Sequence, residues 1–340
     1  MEGIDESVRA VSMATEPPCR NGAGTDIGGC GDVRPRGAAG AACSLYSEQF
    51  GMTLLGLLAL LLVTFDFTGC GGGPSRQVIQ NKGSDTLVNV AQTWAEHYRE
   101  VDPNVAVAVT GGGSGTGISA MINGTVDIAN SSRKMTPAEI EQARKNGIEP
   151  VEFVVGYDAL AVYVHKDNPV KGLAIPQLAE IYGEGGTVET WAQLGIEVPN
   201  AREGKIVRYS RQNNSGTYEY FKEAVLGKAR EYKLGSLDMH GSKDVVESVA
   251  RTPGGIGYSG LAYATEHVRL VPIAKEEGGT YVLPSVPTAI DGTYPIARPL
   301  FMYTRGQPTG ETKKYLDWIL GEDAQRILLE TGYAPVLKLG

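Results

Sequence analysis

The chain has 340 residues, 42% of them apolar and 21% charged, with a formal net charge of −8. That composition describes a globular chain long enough for one large or two medium domains. Weak acidity excludes a nucleic-acid surface, which needs a basic stripe, but not a small buried anion held by local donors.

All four cysteines, Cys19, Cys30, Cys43 and Cys70, lie early. The chain beyond Cys70 therefore holds no disulfide and no thiolate metal site, and suits any redox compartment. Residues 1–51 are Gly/Ala-rich without apolar periodicity, and read as a disordered extension or a start placed too early. Residues 52–65, MTLLGLLALLLVTF, are short for a membrane span and right for a signal h-region. The run ends in Phe67-Thr68-Gly69-Cys70, which resembles a bacterial lipobox, although Phe67 stands where Leu is usual and Asp66 interrupts the approach. This implies a signal peptide and lipobox over 52–70, a lipid anchor on Cys70, and a flexible Gly-Gly-Gly-Pro-Ser tether over 71–75. The alternative is an unmodified cysteine after an ordinary signal or anchor.

From residue 76 strands and helices alternate, which predicts an α/β fold. Val78–Gln80 reads as a strand, and Leu87, Val90, Ala91, Trp94 and Tyr98 mark one helical face. Val105–Val109 is a strand, Ile118, Met121 and Ile122 mark a second helix, and Thr125–Asn130 is a strand. Thr136-Pro137-Ala138-Glu139 is a capping-box helix start, closed by Gly147. Val151–Val155 and Leu160–Val164 read as two strands, and Asn168-Pro169 breaks the pattern. A second set follows: strand Ile206–Tyr209, helix Thr217–Leu226 and strand Ile256–Tyr258. Strand Pro299–Tyr303 and amphipathic helices at 311–320 and 322–330 finish the chain.

Three hydroxyl-rich turns stand at strand-to-helix junctions, where unpaired N–H groups suit an anion. They are Gly83-Ser84-Asp85-Thr86, Gly111-Gly112-Gly113-Ser114-Gly115-Thr116-Gly117, and Tyr209-Ser210-Arg211-Gln212-Asn213-Asn214-Ser215-Gly216-Thr217. Each puts Ser or Thr at an N-cap position, which for any single turn is the ordinary job of such residues. Three together, one with an arginine four residues ahead of its serine, point to anion binding. The second turn is one residue from a Walker A loop, but Ile118 replaces the lysine, and an NTPase needs that lysine on the terminal phosphates.

These turns, with Asp127-Ile128-Ala129-Asn130-Ser131-Ser132, Thr190-Trp191-x2-Leu194-Gly195 and Gly254-Gly255-Ile256-Gly257-Tyr258, resemble the phosphate-binding proteins of bacterial ABC importers over residues 76–340. The Arg211-x3-Ser215-Gly216-Thr217 element is the most specific part. The resemblance implies a periplasmic-binding-protein fold of two α/β lobes, each a mixed sheet flanked by helices. Lobe one would be 76–165 plus 294–340, and lobe two 166–293, with hinge crossovers near Lys166–Lys171 and Asp291–Ile296. It further implies phosphate donors from Ser84, Thr86, Ser114, Ser215, Gly216 and Thr217, with Arg211 as the one full positive charge. Some members carry an aspartate where this chain has Ser131-Ser132; such a group accepts the phosphate's own proton. Asp158 is the expected acceptor here, with Asp85 second and Ser132 an added donor.

The function expected is capture of inorganic phosphate outside the cytoplasmic membrane by a lipid-anchored monomer that docks on an importer's permease. No cofactor, metal, nucleic acid or chemical step is expected. The rivals are a binding protein for sulfate, molybdate or tungstate, a secreted phosphatase on the same scaffold, and a surface adhesion or sensor role. His97, His165, His240 and His267 lack metal-ligand spacing, and no G-x-S-x-G elbow is present.

Overall fold

The computed structural model describes residues 76–339. The expectations for residues 1–51, for the signal segment 52–70 with Cys70, and for the tether 71–75 lie outside the described residues.

The first stretch of chain builds β1 (Gln77–Gly83), α1 (Val88–Val101), β2 (Val105–Thr110), α2 (Ser114–Ile122), β3 (Ile128–Ser131) and α3 (Pro137–Lys145). The long strand β4 (Val151–His165) follows. Next come β5 (Leu173–Ala174), α4 (Ile175–Tyr182), β6 (Val207–Arg211), α5 (Gly216–Phe221), β7 (Leu237–Met239), α6 (Ser242–Ala250), β8 (Gly255–Gly260), β9 (Val268–Leu270), β10 (Ile273–Ala274) and α7 (Val286–Ile290). The chain then returns through β11 (Ala297–Thr304), α8 (Gly310–Ile319) and α9 (Glu322–Glu330).

The main sheet runs β2-β1-β3-β11-β4-β8-β6-β7, with β9 also on β4, and β5 pairs with β10 apart from it. It is mixed: β1 lies parallel to β2 and β3, β6 is parallel to β7 and β8, and β4 and β11 run antiparallel to their neighbours. Strand β4 changes partner along its length. Val151–Ala159 pairs with β11, and Leu160–Val164 pairs with β8. The apolar packing divides in the same way. One core gathers Ile79, Leu87, Trp94, Ile128 and Leu300 under Tyr315, Leu316 and Leu328 of α8 and α9. Another gathers Leu160, Val162, Leu178, Trp191, Phe221 and Tyr258. Helix periodicity is fulfilled in α1, whose buried residues are Val90, Ala91, Trp94 and Tyr98.

Two segments expected as separate strands are one. Gly156-Tyr157-Asp158 carries turn-type residues, but partners on both sides keep it extended. Tyr157 and Ala334 exchange backbone hydrogen bonds of 2.8 and 2.9 Å, and Asp158 lies directly opposite Arg298 on β11. The helix expected over 217–226 begins as α5 and shifts to a π-helical turn over Lys222–Leu226. The capping box of α3 forms as its spacing requires. Thr136 Oγ1 accepts from the Glu139 N–H at 3.2 Å, and a Glu139 carboxylate oxygen accepts from the Thr136 N–H at 2.8 Å.

Candidate functional site

The hydroxyls of the first two turns do not cap helices. Helix α1 starts at Val88 with Leu87 as its cap residue and no side-chain bond, so Ser84 and Thr86 are spent elsewhere. Gly113, at φ 92°, precedes α2, and Ser114 is already its first residue. Only the third turn caps: the Ser215 hydroxyl accepts from the Thr217 N–H at 3.1 Å.

What replaces capping is convergence. Thr86 Oγ1 and Thr217 Oγ1 are 3.0 Å apart across 131 positions of sequence. Ser114 Oγ accepts from the Ser132 N–H at 3.0 Å and lies 3.4 Å from Ser132 Oγ. A Cβ on Gly216 would overlap Ser114 Oγ and stand 2.7 Å from Ser132 Oγ, so only glycine lets the third turn come this close. Asn214 fastens the second turn to the third, donating to Gly112 O at 3.0 Å and accepting from the Gly115 N–H at 2.9 Å.

Arg211 enters from the end of β6 with its side chain 1% exposed. Its Nη2 donates to Asp85 Oδ2 at 2.8 Å and to His240 O at 3.0 Å, and its Nη1 donates to Ser242 Oγ at 3.0 Å. Asp85 Oδ1 also accepts from the Gly112 N–H at 2.8 Å. Burial pushes the Arg211 guanidinium below its ordinary pKa, and the Asp85 carboxylate pulls it back. Ser84 Oγ and Arg211 Nε are among the buried side-chain atoms that have no hydrogen-bond partner among the described residues. Unpaired buried donors are costly, and both belong to the turns expected to grip an anion.

Asp158 is fully buried and not free. Its Oδ2 accepts from Arg298 Nε at 3.1 Å and Nη2 at 2.9 Å, and its Oδ1 accepts from the Leu261 N–H at 3.2 Å. Burial pushes its carboxyl above the ordinary value, and Arg298 and Leu261 pull it back. Arg298 further donates to Ser132 O, Thr86 Oγ1 and Thr217 Oγ1 at 3.2, 3.2 and 3.0 Å. The expectation of a single positive charge is therefore corrected: two guanidiniums stand in the cluster, each paired with one carboxylate. Sequence reading missed Arg298 because it took the strand to begin at Pro299. The signal was a lone arginine at an inward position of an apolar strand, where a charge is rare unless paired. Asn214 was passed over as one more polar loop residue.

Beside Ser132 and Arg298 opens a cavity of about 570 Å³. Its lining holds Arg133, Lys134, Lys222, Lys228 and Arg298 against the acidic Glu219 and Glu223. Cys70 lies outside the described residues; of the other expected site residues, Ser84, Thr86, Ser114, Arg211, Ser215, Gly216 and Thr217 come from the three turns, Ser132 follows β3 and Asp158 lies on β4, and all are buried.

The model of the PBP superfamily domain matches residues 69–323. A phosphate-binding protein PstS of Pseudomonas aeruginosa is 36% identical over 269 residues, which cover 76% of this chain and 83% of that protein. The PstS of Bacillus subtilis is 31% identical over 261 residues, covering 76% and 80%. Among solved structures, a Clostridium perfringens protein with bound phosphate is similar at TM-score 0.68 and 27% identity, over 77% of this chain and all of that one. An ABC-type phosphate transport receptor from Vibrio cholerae gives TM-score 0.60 and 26% identity, over 75% and 99%. The chain therefore belongs to the PBP superfamily and, within it, to the PstS phosphate-binding proteins.

Proposed function

We propose that the chain is the extracytoplasmic binding protein of an ABC phosphate importer, capturing inorganic phosphate and handing it over without a chemical step. The observation that carries this reading is the pair of buried, partnerless donors, Ser84 Oγ and Arg211 Nε, among hydroxyls that converge from three separate turns. Such a cluster offers donors in all directions and suits a dehydrated tetrahedral oxyanion. Ser84, Thr86, Ser114, Ser132, Arg211, Ser215, Gly216 and Thr217 are its ligands.

Phosphate near neutral pH keeps a proton and sulfate keeps none, so a carboxylate at the site separates the two. Both carboxylates have both oxygens engaged, Asp158 by Arg298 and the Leu261 N–H and Asp85 by Arg211 and the Gly112 N–H, but Asp85 is the one that adjoins the partnerless Ser84 hydroxyl and is bonded to Arg211. We assign the acceptor role to Asp85. The division of the sheet and of the cores supports two lobes. On this reading one crossover falls at the partner change on β4 between Ala159 and Leu160, ahead of the Lys166–Lys171 expected from sequence, and the other at the start of β11 near Ala297. Closure of the lobes buries the anion, and Cys70 carries the lipid that tethers the protein.

Isothermal titration of the purified protein tests this reading. It requires tight phosphate binding and a much weaker response to sulfate. Equal binding of both would favour a general oxyanion carrier, and no heat with phosphate would end the proposal.

A further inference from the structure

We infer that Arg298 is a positioning residue of the anion site, one that fixes the direction of the Thr86 and Thr217 hydroxyls so that the closed cluster always has an O–H to give away. The inference deepens the proposed function and rests on anion binding at this cluster.

The argument is a count of hydrogens. A guanidinium has five N–H donors and no acceptor, and a hydroxyl has one hydrogen. Arg298 Nη2 faces three acceptors with two hydrogens, Asp158 Oδ2, Thr86 Oγ1 and Thr217 Oγ1 at 2.9, 3.2 and 3.0 Å, so one hydrogen is shared between two of them. Neither threonine can return its hydrogen to the guanidinium. Between them they absorb at most one hydrogen, in the 3.0 Å bond from one hydroxyl to the other. At least one O–H must therefore point away, and neither hydroxyl has any other partner among the described residues. Both threonines are buried, so that hydrogen meets no bulk water. A buried donor without an acceptor disfavours the closed arrangement, and an anion removes the deficit.

Without Arg298 the spare hydrogen would remain, but nothing would hold the two hydroxyls as acceptors on one side, and its direction would no longer be fixed. Asp158 holds the guanidinium in place: the two residues are direct cross-strand neighbours on β4 and β11, and the Asp158 and Arg298 side chains are both wholly buried. Thr86 follows β1 and Thr217 opens α5, so the guanidinium touches both sides of the sheet's partner change at once.

The test is a double-mutant cycle on the purified protein, read by calorimetric titration with phosphate, sulfate and molybdate, and by thermal unfolding without ligand. One arm replaces the hydroxyl pair (Thr86→Val with Thr217→Val). The other replaces the ion pair (Asp158→Asn with Arg298→Met), leaving no interior charge uncompensated. The comparison uses whichever anion the wild-type protein binds, so a protein that prefers molybdate refutes the phosphate reading without blocking this test. Each arm alone should weaken binding about tenfold or more, and the two together little more than either, because one removes the oriented O–H and the other only its orientation. Losses that multiply would overturn the inference. If the ion-pair arm lacks a cooperative melt, Arg298→Lys serves in its place. It keeps the charge but not the fork, and should cost about tenfold in affinity. Unchanged affinity there would overturn the inference as well.

Discussion

Replacing Arg211 by alanine is the sharpest perturbation of the site. The side chain is 1% exposed, and it ties Asp85, His240 and Ser242 while leaving Nε for a ligand. Its removal deletes one charge-assisted bond to the anion, about 1.5–3 kcal/mol. It also leaves the Asp85 carboxylate beside a second negative charge with its cation gone; truncating one member of such a buried pair costs about 2–5 kcal/mol. The two effects overlap, so a combined loss of about 4 kcal/mol is expected, which is about a thousandfold in Kd. Titration calorimetry on Arg211→Ala measures it, with thermal unfolding to confirm that the fold survives. Adding Asp85→Asn removes the repulsion and should recover about tenfold. A single variant that binds within tenfold of wild type, or a double variant that binds no better than the single, would refute the reasoning.

Gly216→Ala should weaken phosphate binding by at least about tenfold, because the added methyl enters the space of Ser114 and Ser132; titration reads it directly. Asp85→Asn should narrow the margin between phosphate and sulfate, while Asp158→Asn should leave that ratio in place and instead destabilise the fold. The buried Arg298 would lose its carboxylate, at a cost of about 3–5 kcal/mol, visible as a Tm lowered by about 10 °C. The Arg133–Glu139 pair sets an acid-sensitive contribution. Burial of Glu139 pushes its carboxyl up, but the Arg133 and Thr136 hydrogen bonds outweigh it, and the folded value lies below 4.5. A depressed carboxyl stabilises above its unfolded pKa and loses that stability as the pH falls through the folded one. The urea midpoints of wild type and Glu139→Gln should therefore differ at neutral pH and converge well below pH 4.5.

Local signals carried much of the fold. The α3 capping box, the apolar face of α1 and the two closing helices follow from spacing alone, because neighbours along the chain decide them. The single β4 strand did not, since Gly156 and Asp158 look like a turn until Ala334 and Arg298 arrive from more than a hundred positions away. The site divided along the same line. Hydroxyl turns are visible as residue types in sequence, and so is Arg211 four positions before Ser215. Whether a hydroxyl caps its helix or faces another turn depends on tertiary approach. Spacing therefore suggested caps at Ser84 and Ser114 where there are none. Trp191 and Gly254, noted separately as family-like segments, turn out to be one contact, the indole N–H donating to Gly254 O at 3.0 Å.

The order of strands also governs how the chain can be made. β11 is the last strand to leave the ribosome, yet it is wedged between β3 and β4. Until residues 297–304 appear, β3 lacks its neighbour on one side and the first part of β4 has none there. The early elements cannot complete their sheet during synthesis, and α8 and α9 arrive later still to cover Trp94 and Ile128. Assembly of this body is a late event involving its whole length, slow for its size because the decisive pairings join distant parts of the polypeptide.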